Sequence, residues 1–476
     1  NAAAAAAAAA TAKATATATA STSGKFQVHV GPTTSWRTVA KLAARPDPAD
    51  PTGKKVLIGL FQPQSHVIVP VPHCSAHHPS INAAVACLTE TCNRLGVAAF
   101  DDKRGGGYLR YVAASVLRRT GGVQLTLIWN SNPYTDADDA SDDGKKALHR
   151  LTTELRRVSH FDGVPTVEEH HGPTKKKRRR GKKARGGDVD VAEATDHARS
   201  DTTKNDTTTT ASSSPAPPPF RLHSLWIHYN SQWKHSNAIF DIAAPATSSW
   251  RLVCGPAFVE ETLDIGTAHP VALRFPPNVF RQANLDGFAN IVAAIRQRIG
   301  RYVAEYNNNG GGGDGKERLA PSCLELYGGV GTIGLNLIDL VSSLTSSDEN
   351  PNNIACFRGC VDGSSWPEEI KSRAHYVGKN AAKMIEDGSQ LAKSDILVVD
   401  PPRKGLDGPV LSALTDKWTN QLPQLVVYVS CGFDAFQRDC DAMLESGRWA
   451  LEHAEGHLLF PGSDAIETLA FFVRKD

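Results

Sequence analysis

The sequence predicts an α/β protein: a mostly parallel, doubly wound sheet with an antiparallel hairpin at its C-terminal end, preceded by a mixed α/β module. Three observations carry this reading. From "SCLELYGG" onward, short apolar runs alternate with helix-period segments, the signature of strand–helix units closing a parallel sheet. The last two runs, "WALEHAEGHLLF" and "ETLAFFVRK", are strand-like and joined by a short loop, so the chain ends in a hairpin-like pair. Upstream, the strand-like runs FQVHV, VLIGLF, VIVPV, YLRYVAASVLRR and VQLTLIW surround one amphipathic segment near Ile81–Leu95.

The chain has 476 residues and a formal charge of +2, so no partner class follows from its total charge. Nine cysteines without a CxxC pair fit a reducing compartment better than a disulfide framework. No apolar run is long enough to cross a bilayer, so a soluble protein is expected; it is read separately as intracellular and monomeric. Plastid, mitochondrion and nucleus all stay open. Residues 1–25 are nearly all Ala, Thr and Ser with no acid, read as a disordered low-complexity tail or the remnant of a transit peptide. Residues 26–280 form the first block, interrupted at 162–219 by a stretch rich in charge, Thr, Ser, Gly and Pro that cannot bury enough apolar surface to order itself. Within that insertion Lys175–Arg185 holds nine basic residues in eleven: a solvated tract, an RNA tether or a nuclear-localisation signal. Residues 281–476 form the second block. It opens with a helix from about Leu285 to Tyr306 and a Gly/Asn-rich loop.

Three strand ends in the second block carry chemistry. "ELYGGVGTIG" sets Gly329, Gly331 and Gly334 in G-x-G-x-x-G spacing after a strand and before an expected helix at "IGLNLIDLV". Glycines permit the tight turn, and Glu349 at the end of the following strand supplies an acceptor for ribose hydroxyls. The pattern suits an adenosine-bearing ligand and does not by itself separate a nicotinamide from S-adenosylmethionine. "DILVVDPPRKGLD" delivers Asp400 at a strand tip, and two prolines fix the backbone there. "QLVVYVSCGFDAFQRD" places Cys431 at the next strand tip, before a helix whose N-terminus is expected to lower the thiol pKa and free a nucleophilic thiolate. Glu467, at the start of the last strand, has nothing in its spacing to mark it.

Taken in order, ELYGGVGTIGLNL, VVDPPRKGLD, VVYVSC and FPGSDAIE resemble the RNA uracil-C5 methyltransferase family, which makes 5-methyluridine in tRNA and ribosomal RNA. The similarity extends to "NVFRQAN" and, more loosely, to "SWRTVAKLAAR" and "CSAHHPSINAAV". The resemblance implies a Rossmann-like class I methyltransferase domain behind an RNA-binding module, S-adenosylmethionine as cofactor and RNA as partner. It implies Cys431 as nucleophile and Glu467 as general base. It also implies that Gln282, Tyr327, Gly329, Gly331, Thr332, Glu349 and Asp400 line the cofactor site, and that Phe280 lies near the target base. The loop before Glu467 departs from the family: Gly462, Ser463, Asp464 and Ala465 stand where histidine is frequent. Some members hold an iron–sulfur cluster on four cysteines; Cys74 matches the last, but no cysteine precedes Phe26 to match the others, so neither a cluster nor another metal is expected. Arg37, Lys41, Arg45, Arg110, Arg118 and Arg119 are the candidate phosphate contacts. Two other readings stand beside this one, a nicotinamide-dependent oxidoreductase and a non-catalytic RNA-binding relative.

Overall fold

The computed structural model describes residues 26–131, 143–161, 220–231, 249–309, 320–416 and 422–475. The N-terminal tail, the 162–219 insertion with its basic run, and most of the Gly/Asn-rich loop lie outside them. In chain order the strands and first helices are β1 (Gln27–Val30), β2 (Val39–Pro46), β3 (Val56–Phe61), β4 (Ile68–Pro70), α1 (Pro79–Leu95), β5 (Leu109–Leu117), β6 (Gly122–Trp129), α2 (Asp143–Val158), β7 (His160–Phe161), β8 (Arg221–Tyr229) and β9 (Trp250–Cys254). A sheet in the order β4-β3-β2-β5-β6-β8-β7, with β9 also on β8, carries α1 and α2 on one face. Its core is the alternate residues Ala40, Leu42 and Ala44 of β2, Val112, Ala114 and Val116 of β5, and Leu125 and Leu127 of β6, packed under Ile81, Leu88 and Leu151. Helix α1 starts where Pro79 needs no N–H and the His78 ring accepts from Ser80 N, and it stops at Gly96 in a left-handed conformation. Helix α2 escaped the sequence reading. Its apolar stripe of Ala147, Leu151 and Leu155 is one residue wide and set among Lys145, Lys146, Arg150, Arg156 and Arg157.

The second half continues with β10 (Val259–Glu261), β11 (Leu273–Phe275), α3 (Leu285–Asn309), β12 (Ser322–Leu326), β13 (Ser343–Ser347), α4 (Asn353–Asp362), α5 (Glu368–Lys371), β14 (Ala374–Val377), α6 (Ala381–Met384), α7 (Ser389–Ala392), β15 (Ile396–Val399), α8 (Gly408–Thr415), β16 (Leu425–Ser430), α9 (Phe433–Glu445), β17 (Trp449–Leu458) and β18 (Glu467–Arg474). Its sheet runs β1-β17-β18-β16-β15-β12-β13-β14, and β18 alone is antiparallel to both of its neighbours. Alternate strand residues feed two cores: Leu425, Val427, Val429, Leu469 and Phe471 meet α3 and α4, while Val426, Tyr428, Ala470 and Phe472 meet α6, α8 and α9. That two-sided burial is why the strands read as unbroken apolar runs. This is the Rossmann-like α/β sheet with an antiparallel finish that the sequence predicts.

Two details differ from the sequence reading. The line drawn at residue 280 is crossed twice by segments that precede it: β1 pairs parallel with β17 of the second sheet, and Leu263, Val271, Leu273 and Phe275 around β10–β11 pack into the second core. The helix expected at "IGLNLIDLV" is a short 3₁₀ turn at Gly334–Leu337. Ile333, Leu335, Leu337 and Ile338 are all buried, and the Arg296 guanidinium takes the Asn336 carbonyl and the Asp339 carboxylate. Tertiary contacts thus replace the bonds that a longer helix would have made.

Candidate active site

Strand register gathers the predicted residues on one edge. Leu326, Ser347, Val399 and Tyr428 are joined through successive parallel pairs, so Tyr327, Asp348 and Asp400 emerge side by side at the carboxyl ends of their strands, with Cys431 beyond them. Ligands bind at this edge in open α/β sheets. Antiparallel β18 reaches the same edge from the opposite direction: Ser430 faces Thr468 in the last pair of the ladder, and Cys431 and Glu467 flank that pair, near enough for the Glu467 carboxyl to act on the thiol. The Cys431 turn also lies on the Asp400 loop, because a Cβ at Gly432 would come within 3.1 Å of Arg403 Cα and closer to its carbonyl. Asp439 of α9, fully buried, accepts from Tyr428 Oη at 2.7 Å and from Leu406 N at 2.8 Å, which locks the loop after Arg403 to the strand carrying Cys431.

The electrostatics overturn one expectation. Burial, Glu467 and Asp400 push the Cys431 thiol up to about 11, against a smaller opposing pull from Arg403. The start of α9 does not make a standing thiolate, since half-burial beside two carboxyls outweighs it. Burial, opposed by Arg403, raises Glu467 to about 7. It is 1% exposed, and its Oε1 has no hydrogen-bond partner among the described residues. Asp400 is held well above the usual carboxylate range by burial, then by Glu467 and Glu325. Sequence spacing gave Glu467 no mark; its neighbour across the sheet does.

Around the glycine turn, Gly329 and Gly331 have φ of +56° and +85°. A Cβ at Gly331 would sit 2.7 Å from the Phe357 ring, so only glycine fits there. The turn is held by a residue the sequence reading missed. Glu325, buried at 2% on β12, accepts from Gly334 N at 2.8 Å and Ser346 Oγ at 2.6 Å, and burial raises it to about 7. Asp348 is spent locally, accepting from Gly329 N and Asn353 Nδ2. Glu349 is exposed at the end of β13, and Lys404 nearby is raised chiefly by its ion pair with Asp407, with a smaller contribution from Glu349. Tyr327, at φ +59°, donates to Asp407 Oδ2 at 3.2 Å, and burial raises its phenol. Half-buried Thr332 offers its carbonyl to Asn336. A close-approach turn, an exposed acid at the next strand end and an acid at the third match the needs of an adenosyl group with its ribose.

The segment from Phe280 to Asn284 joins the two halves. Arg281 donates to Ser115 Oγ and Val116 O, each at 2.8 Å, and to Glu261 at 2.7 Å. Thr38 N and Oγ1 bond Ala283 O, and Asn284 Nδ2 donates to Leu459 O at 2.9 Å. Gln282 is half-buried between these anchors, whereas Phe280 is 65% exposed. The basic set divides. Arg45 is buried in an ion pair with Asp102 at 2.6 Å, Arg110 is 1% exposed and donates to Asn230 O, and Arg118 is tied to Glu261 and Asp286. These three are interior struts rather than phosphate contacts. Arg119 and Lys41 are exposed, and Arg37 is half-buried over the Trp36 ring. Among the described residues, no helix is long and apolar enough to cross a membrane.

No protein-family model matches the chain. It is 28% identical over 447 residues to an uncharacterised RNA methyltransferase of Protochlamydia amoebophila, covering 94% of this chain and 88% of that one. An uncharacterised RNA methyltransferase of Bacillus cereus is 22% identical over 89% of this chain and 68% of its own. Among solved structures, the Pyrococcus abyssi tRNA (uracil-54, C5)-methyltransferase in complex with S-adenosyl-L-homocysteine superimposes with a TM-score of 0.56 at 17% identity, over 94% of this chain and 79% of that one.

Proposed function

We propose that this chain, an RNA methyltransferase that uses S-adenosylmethionine, methylates carbon 5 of a uridine in tRNA or ribosomal RNA through a covalent Cys431 adduct. The observation that carries this reading is the meeting of Cys431, Glu467 and Asp400 at one sheet edge beside the glycine turn. Neither a simple nitrogen methylation nor a hydride transfer needs a thiol beside a buried, unpartnered carboxyl.

Carbon 5 of uracil is too weak a nucleophile to take a methyl group unaided. The Cys431 proton passes to the Asp400 carboxylate, which leaves Glu467 ionised, and Sγ adds to carbon 6. The C5–C6 electron pair moves into the ring as an enolate, which makes carbon 5 nucleophilic. The cofactor, when bound, supplies a methyl on a sulfonium. Glu467 then removes the proton from carbon 5; that electron pair rebuilds the double bond, and the C6–Sγ bond breaks to free the thiolate. Glu349 is placed for the ribose hydroxyls, Gly329 and Gly331 for close approach, with Gln282, Tyr327, Thr332 and Asp400 around the remainder. Phe280 stacks on the target region, and Arg37 and Lys41 serve phosphates. A uridine held in a stack has to be flipped out to reach this edge.

Incubation with S-adenosylmethionine and RNA containing 5-fluorouridine tests the scheme, because fluorine does not leave as a proton does. A complex that survives a denaturing gel in the wild type and is absent in Cys431→Ala is the expected result. Methyl transfer to RNA with no trapped species would refute the covalent route, and no methyl transfer to any uridine-bearing RNA would favour a non-catalytic RNA-binding role.

A further inference from the structure

The outer two strands of the second sheet carry a group of side chains that the methyl-transfer scheme does not use. Alternate residues His453, Glu455 and His457 of β17 share one face, and the parallel pairing His29↔His457 brings a third imidazole from β1 alongside them. The rings of His29 and His457 stack at 4.6 Å, 18° from parallel. All three imidazoles turn Nε2 toward one carboxylate: His457 lies 3.0 Å from Glu455 Oε1, while His453 and His29 lie 3.0 and 3.3 Å from Oε2. Candidate ligand atoms of His29, Glu455 and His457 all fall within 4.8 Å of one another.

We propose that His29, Glu455 and His457 form a site for a divalent first-row metal ion of the zinc class. The chemistry of the set is the first argument. Imidazole nitrogen and carboxylate oxygen are the borderline donors that zinc takes, and hard oxygen-seeking ions such as magnesium do not favour a pair of imidazoles. Spacing is the second. A tetrahedron with bonds of about 2.0–2.1 Å has edges of about 3.3 Å, and the His457–Glu455 and His29–Glu455 separations of 3.0 and 3.3 Å need little adjustment to become such edges. Access is the third. The His457 and Glu455 side chains are 4% and 10% exposed and form the floor, while those of His29 and His453 are 39% and 47% exposed and form the entrance. Three protein ligands leave the fourth tetrahedral position, on the side of the exposed His453 ring, to water. The ion's place gives it a use. β1 is an edge strand of four residues, recruited from the far end of the chain, and the ion fastens it to β17. His457 is also the direct cross-strand partner of Glu467, so the staple braces the strand pair that presents that residue.

The full-length protein, stripped with chelator, is titrated with Zn²⁺ and separately with Co²⁺. One equivalent of zinc should bind at micromolar or lower concentration and raise Tm, magnesium should do neither, and cobalt should give the intense visible absorption of a tetrahedral site. Removing one donor should weaken zinc binding at least about tenfold, as even supporting groups of metal ligands do. His29→Gln is the variant of choice because its half-exposed ring leaves the fold intact, and Glu455→Gln is the second. Absence of stoichiometric binding, an octahedral cobalt spectrum, or unchanged affinity in His29→Gln would each overturn the proposal, the last by locating the ion on other histidines.

Discussion

Replacing Glu467 with glutamine removes a carboxyl that is 1% exposed and whose Oε1 has no hydrogen-bond partner among the described residues. Its folded pKa is about 7 against 4.5 for an ordinary glutamate. Between those values the native state holds the proton that the unfolded state has released, so stability falls as pH rises across that window. The cost is absent below pH 4.5 and complete above 7. At about 1.4 kcal/mol per pKa unit, it reaches about 3 kcal/mol at pH 8, and less where Asp400 carries the shared proton. Glutamine, always neutral, escapes this cost. Glu467→Gln should therefore be about 2–3 kcal/mol more stable than wild type at pH 8 and nearly equal at pH 4.5. On domains of this size that is a Tm gain of about 5 °C or more. Thermal and urea unfolding at the two pH values measure it. The same variant should still form the Cys431 adduct yet fail to resolve it. A gain independent of pH, or a loss at pH 8, would refute the assignment of a buried, strained carboxyl.

Further outcomes follow from the same geometry. Because Glu467 has to be ionised to take the carbon 5 proton and is itself raised to about 7, release of methylated RNA in a single turnover should climb with pH through about 7 and then level; a flat profile from pH 5.5 to 8.5 would contradict this. Gly331→Ala forces a Cβ into the Phe357 ring at φ +85°, at a cost of about 1–3 kcal/mol, and calorimetry should show S-adenosylmethionine binding weakened at least tenfold. Glu325→Ala leaves Gly334 N and Ser346 Oγ unpaired, and should raise KM for the cofactor more than KM for RNA. Phe280→Ala should leave Tm unchanged, because the ring is 65% exposed, and should weaken RNA binding by the ~1–3 kcal/mol of one lost stacking contact.

The sequence shows the second sheet well because two-sided burial turns its strands into continuous apolar runs, and short loops leave Asp400 and Cys431 at their tips. It hides what depends on pairing between distant segments. Nothing in FQVHV tells that β1 joins β17, since an edge strand has the same period whichever sheet receives it. Period also fails at "IGLNLIDLV", where every apolar side is buried and Arg296 competes for the backbone. Arg45 and Arg110 read as surface charge in one dimension; only the fold shows Asp102 and Asn230 waiting for them. Cys431 was visible by position, but its raised pKa needed the two carboxyls that the sheet brings beside it.

Arg281 concentrates these distant relations in one side chain. Its guanidinium is the joint between β5, Glu261 and the segment that ends at Asn284, whose amide in turn holds Leu459 just before the loop to Glu467. Exposed Phe280 is thereby cantilevered from a rigid base, and its aim relative to Glu467 depends on that base. Arg281→Ala leaves Glu261, 4% exposed, with Arg118 as its remaining cation and should cost about 3–5 kcal/mol. Loss of fold there would say nothing about aim, so Arg281→Lys is the sharper test. It keeps the charge, but an ammonium has no planar fork with which to reach Ser115, Val116 and Glu261 together. A modest drop in Tm with at least a tenfold fall in kcat/KM for RNA, and a smaller change in cofactor affinity, is the expected pattern. Native kcat/KM in Arg281→Lys would mean that Phe280 finds the base without this anchor, and the account of a preset stacking residue would fail.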